Sequence, residues 1–126
     1  IARGEALKVY GHGKQTRTFC YITDAIKGFI KILIDAENPN VFNVGNPNPE
    51  ISIYSLALTI RDIIAPNTQV EIIEYPDSYP EDEPYRRCPD ISKIRSLLDY
   101  EPAVSLEEGI RRFFTWSKEN YAAAIL

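Results

Sequence analysis

LKVYGHGKQTRTF, residues Leu7–Phe19, is the stretch on which the reading of this chain turns. It carries Lys8, Lys14 and Arg17, with His12 among them and no acid, in a chain whose formal net charge is -4. Basic side chains beside a glycine turn suit a phosphate or carboxylate ligand, because arginine offers a planar fork of donors and lysine a point charge. A solvated hairpin with ordinary surface cations has the same composition. Lys8-Val9-Tyr10 reads as a short strand closed by Gly11-His12-Gly13. Thr16 to Ile22, rich in β-branched and aromatic residues, predicts a second strand.

Outward from there, strands and helices alternate. Thr23 or Asp24 is placed to cap a helix whose Ile26, Phe29, Ile30, Leu33 and Ile34 form one apolar stripe. Asn38-Pro39-Asn40 ends it. Val41 to Gly45 predicts a compact strand, apolar enough to be buried on both faces of a parallel sheet. Asn46-Pro47-Asn48-Pro49 is a turn. A second helix runs from a Ser52 cap to the residue before Pro66, with Ile53, Leu56, Ala57, Ile60, Ile63 and Ile64 as its stripe. Gln69 to Tyr75 predicts a strand. Tyr75 to Pro89 is a long proline-punctuated loop holding Asp77, Glu81, Asp82 and Glu83. Asp90 caps a short helix with Ile91, Ile94 and Leu98 inward. Ser105 and Glu108 form a capping box for a last helix striped by Leu106, Ile110, Phe113, Phe114 and Tyr121. The alternation predicts an α/β fold.

The chain has 126 residues, 44% apolar and 25% charged, which suits one modest globular domain. Its acidic balance argues against nucleic acid as a partner, and no apolar run reaches the length of a bilayer span. Cys20 and Cys88 are unpatterned, so reduced cytosolic thiols are expected rather than a disulfide framework or a metal site. His12 is the only histidine, which excludes a His-rich metal site. The chain opens Ile1-Ala2-Arg3-Gly4, neither Met nor a signal peptide, and reads as a polypeptide entered midway.

Some motifs are decoys. Tyr10 and Lys14 match a Tyr-x-x-x-Lys spacing, but that pair works from one helix face, and two glycines here put it in a turn. Gly11-His12-Gly13 falls short of a dinucleotide fingerprint because position 16 is threonine and no helix follows. The acids of the late loop are spread by prolines, so a solvated loop is preferred to a metal site.

Taken together, VYGHGKQTRTFCYITD (Val9–Asp24), FNVGNP (Phe42–Pro47), RRCPDISK (Arg86–Lys93), LLDYEP (Leu97–Pro102) and VSLEEGI (Val104–Ile110) resemble, in order, segments of the extended short-chain dehydrogenases that act on nucleotide sugars. The nearest subgroup by these motifs resembles the UDP-glucuronate decarboxylases, with UDP-sugar 4-epimerases and dTDP-sugar 4,6-dehydratases beside it. The resemblance covers the C-terminal part of such an enzyme. It implies that residues 1–126 are the substrate-binding portion of a Rossmann-type fold, with the NAD-binding half and every catalytic residue upstream. It implies NAD as cofactor, a UDP-sugar as substrate, no nucleic acid or membrane as partner, a homodimer as the whole enzyme, and a cytoplasmic location. A non-catalytic nucleotide-sugar-binding or interaction module is the rival reading.

Carried over position by position, the resemblance places Arg17 and Arg87 on the nucleotide diphosphate and Tyr10 against the base. It places Lys8 near the base or ribose, and Gln15 on the ribose or merely closing the turn. Asn43 becomes a strand-end amide on the floor of the site. Arg86 has a plainer alternative, a pair with the loop acids. His12 stands where the family often has Asp, and Tyr100 where it has Trp.

Overall fold

The computed structural model describes residues 5–37, 40–79 and 83–125. Nine elements follow in order: β1 (Leu7–Tyr10), β2 (Thr16–Arg17), α1 (Ile22–Asp35), β3 (Ile51–Ser52), α2 (Ile53–Ile64), β4 (Val70–Ile73), β5 (Arg86–Arg87), α3 (Ser92–Leu98) and α4 (Leu106–Ile125). The mixed α/β character matches the sequence reading.

β1 pairs with β4 in parallel, Leu7 opposite Val70 and Tyr10 opposite Ile73. Side chains alternate across a strand, so Val9 is buried beneath while Lys8 and Tyr10 face out. β2 is the middle of a second small sheet, antiparallel to β3 and parallel to β5. Between β1 and β2 the chain reverses through Gly11 and Gly13, both with positive φ (61° and 58°). A side chain at Gly13 would meet Val9 and Tyr54, so the tight reversal needs glycine twice over.

The helices follow their caps. The Ser52 side chain accepts from the Ser55 amide at 3.0 Å, and α2 stops at Ala65, just before Pro66. The Glu108 amide donates to Ser105 Oγ at 3.2 Å, while the Glu108 carboxylate takes Arg112 instead of closing the reciprocal half of the box. Asp90 accepts from the Ser92 amide at 2.9 Å, and this bond holds its carboxyl below the usual range. The main core gathers Ile91, Ile94, Leu98 and Tyr100, with Ile32, Ala36, Phe42 and Val44 against it. Tyr100, where the family often has tryptophan, donates its hydroxyl to the Gly45 carbonyl at 3.2 Å.

Four expectations are corrected. The second strand is two residues long, not Thr16 to Ile22. Strand pairing ends at Arg17, and α1 already begins at Ile22. Neither Thr23 nor Asp24 caps α1. Tyr21 holds the N-cap position with no side-chain bond, and Asp24 is fully buried, accepting from the Ala103 and Val104 amides at 2.9 and 2.8 Å. Val41 to Gly45 is not a strand. It finds no neighbouring strand among the described residues, and Val41 is 86% exposed. Asp90 is not the cap of α3: Ile91 holds the N-cap position with no side-chain bond, and Asp90 accepts from the Ser92 amide from one residue further out. The apolar stripe of α1 stays exposed, as expected of a face that needs a sheet to cover it: Phe29 is 61% and Leu33 84% exposed. The Asn38-Pro39 stop lies outside the described residues.

Candidate functional site

The parallel register of β2 and β5 sets Arg17 opposite Arg87. Two guanidinium groups far apart in sequence thus share one edge of a short sheet. Between them stands Glu83. Its Oε1 takes Arg17 Nη2 in a short ion pair, and its Oε2 takes Arg87 Nη2 at 3.1 Å. Arg17 is further fixed because Nη1 donates to the carbonyls of Thr16 (2.7 Å) and Tyr85 (3.3 Å). The Arg17 and Glu83 side chains are only 14% and 25% exposed, so this bridge is far less screened than a surface ion pair.

Arg86 points elsewhere. It grips Glu50 through Nε and Nη2, at 2.9 and 2.6 Å, and Glu50 also accepts from the Thr16 hydroxyl at 2.6 Å. These bonds hold the Glu50 carboxyl below its ordinary range, Arg86 contributing most. The plainer reading of Arg86 as a charge-paired residue holds, with Glu50 rather than a late-loop acid as its partner.

Two clefts meet this arginine pair. One, about 420 Å³, is lined by His12, Gln15, Tyr75, Tyr79, Glu83 and Tyr85. The other, about 560 Å³, is lined by Arg17, Cys20, Asn46, Arg86, Arg87 and Cys88. Gln15 therefore borders the first cleft, and its carbonyl accepts from the Ile53 amide at 3.0 Å. Tyr10 stacks on Tyr75, with ring centroids 6.2 Å apart and planes 17° apart, and Tyr75 in turn leans on Tyr79 at 4.1 Å. Lys8 is exposed on β1, level with Glu71 of β4, and lines neither cleft. Asn43 donates to the Asp90 carbonyl at 3.0 Å, which ties residue 43 to the start of α3.

The structure thus brings Arg17, Arg87 and Gln15 to one neighbourhood and leaves Lys8 apart. It adds Glu83, Tyr75 and Tyr79, which the sequence reading placed in a solvated loop. Asp77 is exposed as expected, and Glu81 and Asp82 lie outside the described residues. Glu83 precedes Arg87 by four residues, but in a loop rather than a helix that spacing carries no signal in the sequence.

The Cys20 thiol is quiet. Burial pushes Cys20 up, and Tyr100, 3.7 Å away, is raised well above the ordinary phenol range, chiefly by burial. A thiol held protonated in this way is a poor nucleophile. Among the described residues no group of His, Cys, Asp or Glu is placed to hold a metal ion. Among the described residues no helix is long and apolar enough to cross a membrane. The Gly11–Gly13 turn leads to strand β2 rather than to a helix N-terminus, so it offers no cradle for a dinucleotide pyrophosphate. Tyr10 and Lys14 flank that turn and share no helix face. In the intact protein, Tyr10→Phe is expected to leave turnover within about tenfold of the parent, since the hydroxyl it loses shares no helix face with Lys14 and forms no acid–base pair with it. Steady-state assays showing a collapse of several orders of magnitude would make the hydroxyl catalytic.

Comparison with known proteins gives the lineage. Residues 1–113 match the family model described as GDP-mannose 4,6 dehydratase. UDP-glucuronic acid decarboxylase 2 of Arabidopsis thaliana is 39% identical over 97% of this chain and 28% of its own length. UDP-glucuronic acid decarboxylase 1 of Danio rerio is 39% identical over 95% of this chain and 28% of its own. The UDP-glucuronic acid 4-epimerase of Bacillus cereus, solved with UDP-glucuronic acid and NAD, superposes with a TM-score of 0.81 at 32% identity, over 94% of this chain and 37% of that one. An epimerase of Methanothermobacter thermautotrophicus superposes with a TM-score of 0.85 at 28% identity, over 97% and 35%. The chain spans less than a third of the length of the curated relatives it matches. With its motifs in family order and a matching fold, the chain belongs to the GDP-mannose 4,6-dehydratase family of extended short-chain dehydrogenases.

Proposed function

We propose that residues 1–126 are the nucleotide-sugar-binding portion of an NAD-dependent UDP-glucuronate decarboxylase, and that Arg17 and Arg87 hold the diphosphate of the substrate. The observation that carries the reading is the convergence of these two guanidinium forks across the β2–β5 pairing. A diphosphate presents oxygens on two phosphorus atoms, and a pair of forks meets them with charge-assisted bonds. Gln15 on the neighbouring cleft is assigned to the ribose. Tyr10, stacked on Tyr75, is assigned to the aromatic wall against the base. Lys8, exposed on β1, is assigned to the outer edge of the base or ribose.

The decarboxylase is preferred to an epimerase because the curated decarboxylases are 38–41% identical while the epimerase structures stand at 32% or less. NAD supplies the hydride chemistry of such enzymes. No residue named here is assigned to NAD, and its site is placed in the part of the relatives' length that this chain does not span. The cytoplasmic, dimeric whole enzyme belongs to the same proposal.

The test is binding. In the intact protein, Arg17→Ala is expected to weaken UDP by ~1.5–3 kcal/mol, the scale of charge-assisted hydrogen bonds. Equal affinity of parent and variant by calorimetry would remove Arg17 from the site. Incubation with UDP-glucuronic acid and NAD separates the reactions. Release of CO2 with a pentose product marks the decarboxylase, and a 4-epimer with the carboxylate intact marks the epimerase.

A further inference from the structure

We propose that Glu83 is an internal competitor for the anion site, a carboxylate that occupies the two arginines until a phosphorylated ligand displaces it. The inference rests on the assignment of Arg17 and Arg87 to a phosphoryl group and goes on to how that site is regulated. Each Glu83 oxygen takes one guanidinium, so the carboxylate spans the pair as a bridging phosphoryl group would. The Nη1 group of Arg17 is committed to backbone carbonyls, and its Nη2 faces Glu83. An anion that is to bridge the same two Nη2 groups must take the place of the carboxylate.

Glu83 also stands at a boundary. It lines the tyrosine-walled cleft, while both its partners line the arginine-walled cleft. The ion pairs therefore close the passage between the two. When the carboxylate leaves, the clefts become continuous. An aromatic wall then adjoins a pair of cations, the arrangement a nucleoside diphosphate requires. The competition is between one negative charge held within the chain and the two of a diphosphate. The diphosphate wins at sufficient concentration, and its affinity is lowered by the free energy of the displaced bridge.

The bridge has a second consequence. While Glu83 is seated, it neutralises part of the charge of the Arg17–Arg87 pair, which is then a poorer trap for single anions such as chloride or acetate. The carboxylate thus screens out weak anions as well as weakening strong ones.

The experiment compares the intact parent protein with Glu83→Gln and Glu83→Asp, titrated calorimetrically with UDP, with inorganic pyrophosphate and with uridine. Glutamine keeps the shape and removes the charge. Aspartate is one methylene shorter and cannot span both guanidiniums. Glu83→Gln is expected to bind UDP and pyrophosphate about tenfold more tightly. Glu83→Asp should fall between it and the parent, and uridine, which has no phosphate, should not change. Thermal melts of all three proteins verify folding, and either variant alone suffices for the comparison. Weaker or unchanged UDP binding in both variants, with the parent binding UDP, overturns the competitor and leaves the nucleotide reading intact. Pyrophosphate tightening without any UDP binding sustains the competitor and overturns the nucleotide reading. Failure of both probes on parent and variants overturns both.

Discussion

Replacing Asp24 with alanine is expected to lower the stability of the intact protein by about 2–5 kcal/mol, the cost of leaving two part-buried backbone donors without their acceptor and the space of a buried carboxylate unfilled. Asp24 is fully buried in the first turn of α1, and one of its oxygens accepts both the Ala103 and Val104 amides. The other oxygen accepts no hydrogen bond and has only Lys27 Nζ nearby, at 3.7 Å. The residue therefore pins the stretch before α4 to the start of α1, and through it the position of the Ser105 cap. Asparagine keeps one acceptor oxygen and should recover roughly half of the loss. Denaturant midpoints for the three proteins decide the matter. An alanine variant within ~0.5 kcal/mol of the parent would make Asp24 a bystander.

A polypeptide of residues 1–126 alone is expected to self-associate and to bind no NAD. Ile22, Phe29, Leu33 and Ile34 on α1 are each 61–84% exposed, and Val41 is 86% exposed. Contiguous apolar surface of this kind marks a face that another structure covers. Sedimentation or scattering should report dimers or larger species. Phe29→Lys together with Leu33→Glu should shift the distribution toward monomer without changing helix content, since both substitutions keep good helix formers. A monodisperse parent at high concentration would show that the face is tolerated in water. Tight NAD binding by this polypeptide would overturn the placement of the cofactor site outside it.

The elements that the sequence predicted well are those whose signals are local. Ser52 and Ser105 announced their helices because an N-cap needs only an oxygen and the amides that follow it. Ile91, Ile94 and Leu98 lie inward as their spacing predicts. What failed depended on partners. Val41 to Gly45 has the composition of a strand, yet a strand exists only where another pairs with it. Asp24 resembled a cap because aspartate near a helix start usually is one. Its real partners, at 103 and 104, are distant in sequence. In the candidate site, the resemblance placed Arg17 and Arg87, and the parallel register puts them opposite one another. Glu83 escaped notice because a loop rich in acids and prolines gives no hint which carboxylate turns inward. The four-residue spacing to Arg87 has that meaning only once a loop geometry is known.

The pairing of β1 with β4 and of β2 with β5 also has a temporal side. Residue 7 cannot meet residue 70, nor residue 17 meet residue 87, until the chain has been synthesised past those later positions and two long connections have closed. Such closures carry an entropic cost before any contact repays it, and chains built on them fold slowly. The arginine pair is therefore a late product of folding, absent from any intermediate in which only α1 and α2 have formed. An anion that bridges the two arginines joins early chain to late chain. It should act as a clasp on the finished topology, slowing unfolding more than it speeds folding.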